Sequence, residues 1–348
     1  ILFGLFMLLA IPLFASRILI PMDESQSNHL KAYGVTFWVL GNGVEADWLL
    51  NYRGGSFMFK NIPTIENECI VRGVSYQIIA DVQAAQILDE ISDPEVNMEM
   101  VKLEVVPRVA VYSPAGKLPW DDAVTLVLTY AEIPYDIVYD EEVLTGALPK
   151  YDWLHLHHED FTGQFGKFYK AYRTATWYQD EVDSQNASAQ IMGFQKVSEM
   201  KREVGITIRN FVLGGGFLFT MCSGTDSYDI SLAAQEVDIC EAMFDGDPAE
   251  SQASSKLNFS EGFAFQDYNL EMDPLVYEFS NIDGTKDHAK LKPINDFFTL
   301  FDFSAKWDIV PTMLTQNHLR VISGFMGQTT SFRKEFIRPD VTIMGDNR

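Results

Sequence analysis

The chain has 348 residues and a formal net charge of −23, from 49 acidic and 26 basic side chains. Its length allows two domains, and an apolar content of 47% is that of a globular protein. So large an acidic excess excludes binding to nucleic-acid phosphates and docking on an anionic membrane surface.

The first 15 residues are apolar apart from Gly4 and Pro12, and Arg17 follows. Small residues at Ala15-Ser16 complete the pattern of a secretory signal peptide over residues 1–16. A membrane span needs roughly 20 apolar residues, which this run reaches only by including Arg17, so an uncleaved anchor is the weaker reading. No cysteine lies near the cleavage position, which removes a lipoprotein. Without an initiating methionine or a basic leader, the expectation is that the true start is missing. The implied location is secreted, periplasmic, with membrane contact only through the signal.

Residues 21–106 read as a small α+β module. Residues 34–40 and 48–52, separated by Gly41-Asn42-Gly43, predict a strand hairpin. Residues 53–59 continue the extended pattern, and 81–91 carry helical spacing that ends before Asp93-Pro94.

A different rhythm starts at Pro107. Strands are expected at 109–112, 135–139, 151–157 and 217–221, with a helix at 120–131 and a long helical region over 163–209. Strands alternating with helices imply right-handed βαβ units and a parallel sheet. Ligands bind outside the carboxyl ends of such strands. That rule puts Ser113 to Gly116, His157 to Asp160, and Cys222 to Gly224 on one rim. Gly214-Gly215-Gly216 reads as a tight turn, and Tyr169, Tyr172, Trp177 and Tyr178 as packing over the sheet. Strands are expected again at 297–303 and 318–322, and the end, 341–348, reads as a strand entering a loop. The expected second domain is 107–348, stopping short of its natural end.

Cys222 follows an apolar strand and precedes a helix expected at 228–237. A strand, a sharp turn and a helix lift a nucleophile above a sheet, and free helix N–H groups with the macrodipole favour a thiolate. The bland alternative is a small buried residue at a strand end. His157, His158 and Glu159 are the other candidate catalytic groups. Ser223, Gly224, Asp226 and Gly116 are the candidate substrate-binding residues on the rim. His155 and His157 share a face of their strand, and His-x-His with a carboxylate can hold a divalent metal. No further ligand stands at a familiar spacing, so no cofactor is expected and a metal-dependent hydrolase is the remotest alternative. The three cysteines are too scattered for a disulfide framework. A single Cys69–Cys240 bridge stays open, and without a CxxC pair a thiolate zinc site has no support.

Thr220-Met221-Cys222-Ser223-Gly224 resembles the Gly-x-Cys-x-Gly elbow of class I glutamine amidotransferase-like domains, with Thr220 in place of the first glycine. The resemblance implies a doubly wound, flavodoxin-like α/β fold, with the 157–160 loop where oxyanion donors sit. It also implies a His-x-Glu base downstream. Only His288 and His318 follow Cys222, and neither has that form. Residues 18–23, 29–34, 49–56, 157–161 and 329–334 resemble a bacterial secreted family catalogued as asparagine synthetase B. Members of that look continue past a segment like 343–347 to a glycine–histidine element. Ser223-Gly224-Thr225-Asp226-Ser227 is one residue short of the ATP-pyrophosphatase loop, and a mature N-terminal cysteine is missing. The synthetase chemistry is therefore not expected. The expectation is a cysteine-dependent hydrolase or amidase on a small amide or sugar-related compound; the alternative is a non-catalytic envelope binding or scaffold protein. The expected partner is a small molecule, and oligomeric state is left open.

Overall fold

The computed structural model describes residues 16–114, 123–284, 297–315, 318–323 and 332–347. It is a mixed α/β chain in two compact units that no single cut separates. The first takes residues 16–106, Tyr130–Ile133 and the described part of Leu300–Arg320; the second takes the rest. Residues 1–15 and 115–122 lie outside the described residues, and with them Gly116 and all of the expected signal segment except Ser16, which opens a strand.

In the first unit five strands, β1 (Ser16–Ile20), β2 (Ala46–Leu50), β3 (Ser56–Lys60), β4 (Gln77–Ala80) and β5 (Glu99–Leu103), form an antiparallel sheet ordered β4-β1-β3-β2-β5. Alternation along β1 sends Ile18 and Ile20 to one face and Leu19 to the other. The first face packs against α1 (His29–Gly41) and α2 (Pro63–Arg72), the second against α3 (Asp81–Ser92).

α1 corrects the hairpin expected at 34–52. Ala32, Gly34, Val35, Thr36, Val39 and Leu40 are its buried residues, mostly at the spacing of one helix face. The Asn28 side chain caps its start by accepting from Lys31 N at 3.1 Å. Gly41-Asn42-Gly43 closes this helix instead of turning a hairpin. Gly43 takes a φ of +74°, and its N–H and that of Val44 donate to Leu40 O and Val39 O. Gly34 is there for close approach, since a Cβ would stand 1.8 Å from Ala131 O. A further expectation is corrected, since the final strand, β12, is Gly345–Asn347 rather than starting at 341; the question of a Cys69–Cys240 bridge is answered by three free thiols. Cys69 sits in the α2 core of the first unit, and Cys240 donates to Thr162 O at 3.2 Å in the second.

In the second unit β6 (Val109–Tyr112), β7 (Asp136–Val138), β8 (Trp153–Leu156) and β9 (Phe217–Thr220) form a parallel sheet ordered β7-β6-β8-β9. α4 (Ala123–Ala131) follows β6, α5 (Asp140–Leu144) follows β7, and α6 (Tyr169–Tyr172), α7 (Thr176–Ile191) and α8 (Val197–Leu213) lie between β8 and β9. Ala110, Leu154, Leu156, Val204, Ile208, Tyr228 and Leu232 build its core, joining the sheet to α8 and to α9 (Ser223–Ala233). β9 is an edge strand whose Phe217 and Phe219 are half-exposed. Ile230 of α9 joins Tyr268, Phe279 and Ile282 from the chain beyond it in a second core. β10 (Phe297–Leu300) and β11 (Val321–Ser323) pair antiparallel beside β12. Among the described residues no helix is long and apolar enough to cross a membrane.

Candidate active site

β9 stays in register with β8 to its last residue, since Met221 N donates to Leu156 O at 3.0 Å. The chain then reverses within one residue. Cys222 has φ 50° and ψ −143° and caps α9, whose first residue is Ser223. A φ in this range is strained for a residue with a Cβ, costs of order 1–3 kcal/mol, and recurs at functional sites. The thiol is exposed.

The turn is held down by the loop after β8. Gly224 N donates to His157 O at 3.0 Å, and a Cβ on Gly224 would lie 2.5 Å from that oxygen, so only glycine permits the approach. Ser223 Oγ donates to His158 O at 3.0 Å, and Ser227 Oγ to Glu159 O at 3.2 Å. The rim loop and the first turns of α9 are thus laced together residue by residue.

Within that loop the Glu159 side chain is 3% exposed. Its Oε2 accepts from His157 N at 3.2 Å, and its Oε1 lies 4.0 Å from His158 Nε2. The two histidines meet at Nδ1, 3.0 Å apart, so one of these nitrogens carries the proton and the other accepts it. Asp160 turns inward, accepting from Thr162 N at 2.7 Å and Gly166 N at 3.0 Å. His155 is buried in the sheet, stacked on Phe219 at 5.3 Å between ring centres. Among the described residues His155, His157 and Glu159 do not bring three donor atoms together as one metal set.

Comparison with protein-family models, curated proteins and solved structures finds no match.

The candidates separate accordingly. Cys222, Ser223 and Gly224 meet the His157–Glu159 loop directly. Asp226 is buried one turn along α9, and burial, then the Asp283 and Asp160 carboxylates, push its carboxyl up to about 8. It is therefore a neutral acid at pH 7 beneath the rim rather than a charged group on it. Gly116 and His288 lie outside the described residues. His318 belongs to the first unit, where its ring stacks on His29 at 4.6 Å.

Two features escaped the sequence reading. Tyr277 is half-exposed, its ring packed on Phe168 at 5.8 Å between ring centres. Burial, then Cys222, Asp226 and Asp283, push its phenol up to about 12, so it remains an O–H donor. Its loop is pinned by the buried Lys167, whose Nζ donates to Glu271 O at 2.6 Å and Glu278 O at 3.0 Å. Nothing local in the sequence marks Tyr277, which stands 55 positions after Cys222 in the chain (277 less 222). The second feature is a sealed ion pair. Lys201 Nζ donates to Asp140 Oδ2 at 2.8 Å and to Tyr112 OH at 3.0 Å, with both charged side chains at most 2% exposed. Burial opposes the Lys201 charge, but Asp140 outweighs it and holds the ammonium above its ordinary range. Here a signal existed: Lys201 stands on the buried face of α8 with Val197, Met200, Val204 and Ile208.

Proposed function

We propose that the protein is a cysteine-dependent hydrolase or amidase whose nucleophile is Cys222. The observation that carries this reading is the backbone of Cys222, strained at φ 50° between a parallel strand and a helix N-terminus. A residue that only filled space at a strand end would have no need of that conformation or of an exposed thiol. The strand order β7-β6-β8-β9 supports the finer assignment to a doubly wound, class I glutamine amidotransferase-like fold. Export to the periplasm belongs to the same proposal.

In the proposed reaction Cys222 Sγ attacks the carbonyl carbon of a small amide, and the thiol proton passes to an imidazole of the His157–His158 pair. Glu159, beside His158, stabilises the imidazolium. The oxyanion takes hydrogen bonds from the Ser223 N–H at the start of α9 and from the Tyr277 hydroxyl. The imidazolium returns its proton to the leaving amine as the C–N bond breaks. Water then cleaves the thioester, releasing the acid and restoring the thiol.

The test is alkylation by iodoacetamide at neutral pH. Because Cys69 and Cys240 are buried, modification should fall on Cys222, and faster than on a free cysteine peptide. A rate equal to that of the peptide would sink the nucleophile and leave the second reading, a binding protein that keeps the fold. Thr220, where the amidotransferase pattern has glycine, favours that second reading.

A further inference from the structure

Between α9 and the end of the short helix α10 (Ala242–Asp245), the chain gathers Asp238, Cys240 and Asp245. One donor atom from each, two carboxylate oxygens and a thiol sulfur, lies within 4.8 Å of the others. Donor atoms at about 2.0–2.3 Å around a tetrahedral zinc ion stand about 3.3–3.8 Å apart, so the group would draw together by up to about 1 Å to share one ion.

A second observation points the same way. The Asp245 side chain is 2% exposed. Its Oδ2 accepts from Ser198 Oγ at 3.2 Å and faces Lys196 Nζ at 3.3 Å, while its Oδ1 is buried with no hydrogen-bond partner. A buried carboxylate oxygen left bare is costly, and a cation would satisfy it. The cation now present is the Lys196 ammonium, which also pairs with Asp238 at 3.4 Å and with Asp247. Three carboxylates around one ammonium leave excess negative charge. The Lys196 side chain is 23% exposed and so has a route outward. A cavity of about 200 Å³ lined by Lys196, Ser198, Arg202, Asp238 and Cys240 gives an ion and its water a way to two of the three ligands.

We propose that Asp238, Cys240 and Asp245 bind a thiophilic divalent cation, Zn²⁺ by the chemistry of the ligands, in place of the Lys196 ammonium. One sulfur and two oxygens with a water as fourth ligand suit zinc better than calcium or magnesium, which take oxygen alone. On binding, the Cys240 S–H loses its proton to solvent and an S–Zn bond forms, with no change of oxidation state. The chain has no CxxC pair, and the ligands come from a single cysteine and two aspartates that spacing alone does not mark.

The site is independent of Cys222, which permits a clean test. The full-length Cys222→Ser protein is titrated with Co²⁺, a spectroscopic stand-in for Zn²⁺, and the near-ultraviolet sulfur-to-cobalt charge-transfer band is followed. A saturable band should appear, be displaced by Zn²⁺, and vanish in the Cys240→Ser derivative. Lys196→Met should lower the half-saturating Co²⁺ concentration about tenfold by removing the competing charge. The proposal is overturned by a band that survives Cys240→Ser, or by no band in either the Cys222→Ser protein or its Lys196→Met derivative.

Discussion

At the carboxyl ends of β6 and β7, Tyr112, Asp140 and Lys201 are enclosed, with the Tyr112 hydroxyl donating to Asp140 and the lysine bonded to both. On the same rim, past the ends of β8 and β9, Cys222 stands in solvent on a strained turn with the His157–Glu159 loop against it. Both regions hold ionisable groups brought together by the same sheet. The enclosed cluster satisfies its charges internally and has no access for a ligand, so its perturbed groups are structural. The open cluster retains an exposed thiol. Unusual ionisation is therefore no guide to chemistry on this rim unless a reactant can reach it.

The largest expected effect breaks the enclosed side. Lys201→Met leaves Asp140 buried without a counter-charge and should destabilise the protein by about 3–5 kcal/mol, read as a shift in the urea midpoint. The double variant Lys201→Met/Asp140→Leu should recover much of that loss. If the single variant is as stable as the parent, the enclosed pair is not the structural anchor described here.

Next comes the group beneath the open side. Asp226 has a folded-state pKa raised from 3.8 to about 8. A carboxyl raised in this way favours the folded state below the unfolded pKa, and that contribution is lost as pH rises through the folded value. The stability of the parent should fall between about pH 4 and pH 8 from this source. Asp226→Asn should flatten that decline when unfolding is followed across the same range. An unchanged slope would show that Asp226 is ionised at neutral pH.

The smallest effect sharpens the open side. Cys222→Gly should stabilise the fold by about 1 kcal/mol, because glycine adopts this backbone without strain. Cys222→Ala, which keeps a Cβ, should not. Calorimetry on the two variants separates release of strain from loss of the thiol, and equal stabilities would remove the argument from the turn.

Much of this was legible from residues alone. β6 and β9 fall close to the predicted segments, because short apolar runs bounded by loops offer few other structures. The elbow was legible for the same reason: an apolar run, a small-residue break and a helix-compatible segment permit little but a strand, a turn and a helix. The sequence could not reveal that Cys222 would take a positive φ beside a Gly224 seated on His157 O. Residues 34–40 misled because valine, phenylalanine and tryptophan are strand formers locally, yet their buried positions follow a helical period that pays off only against the sheet. The side-chain encounters were decided by tertiary structure alone. Lys201 meets Asp140, Tyr277 packs on Phe168, and Asp238, Cys240 and Asp245 converge because packing of separate segments sets those distances. Local propensity and hydrophobic period act over a few residues and so determine elements. Which ionisable groups face one another depends on where the cores place those elements, and that information is distributed over the whole chain.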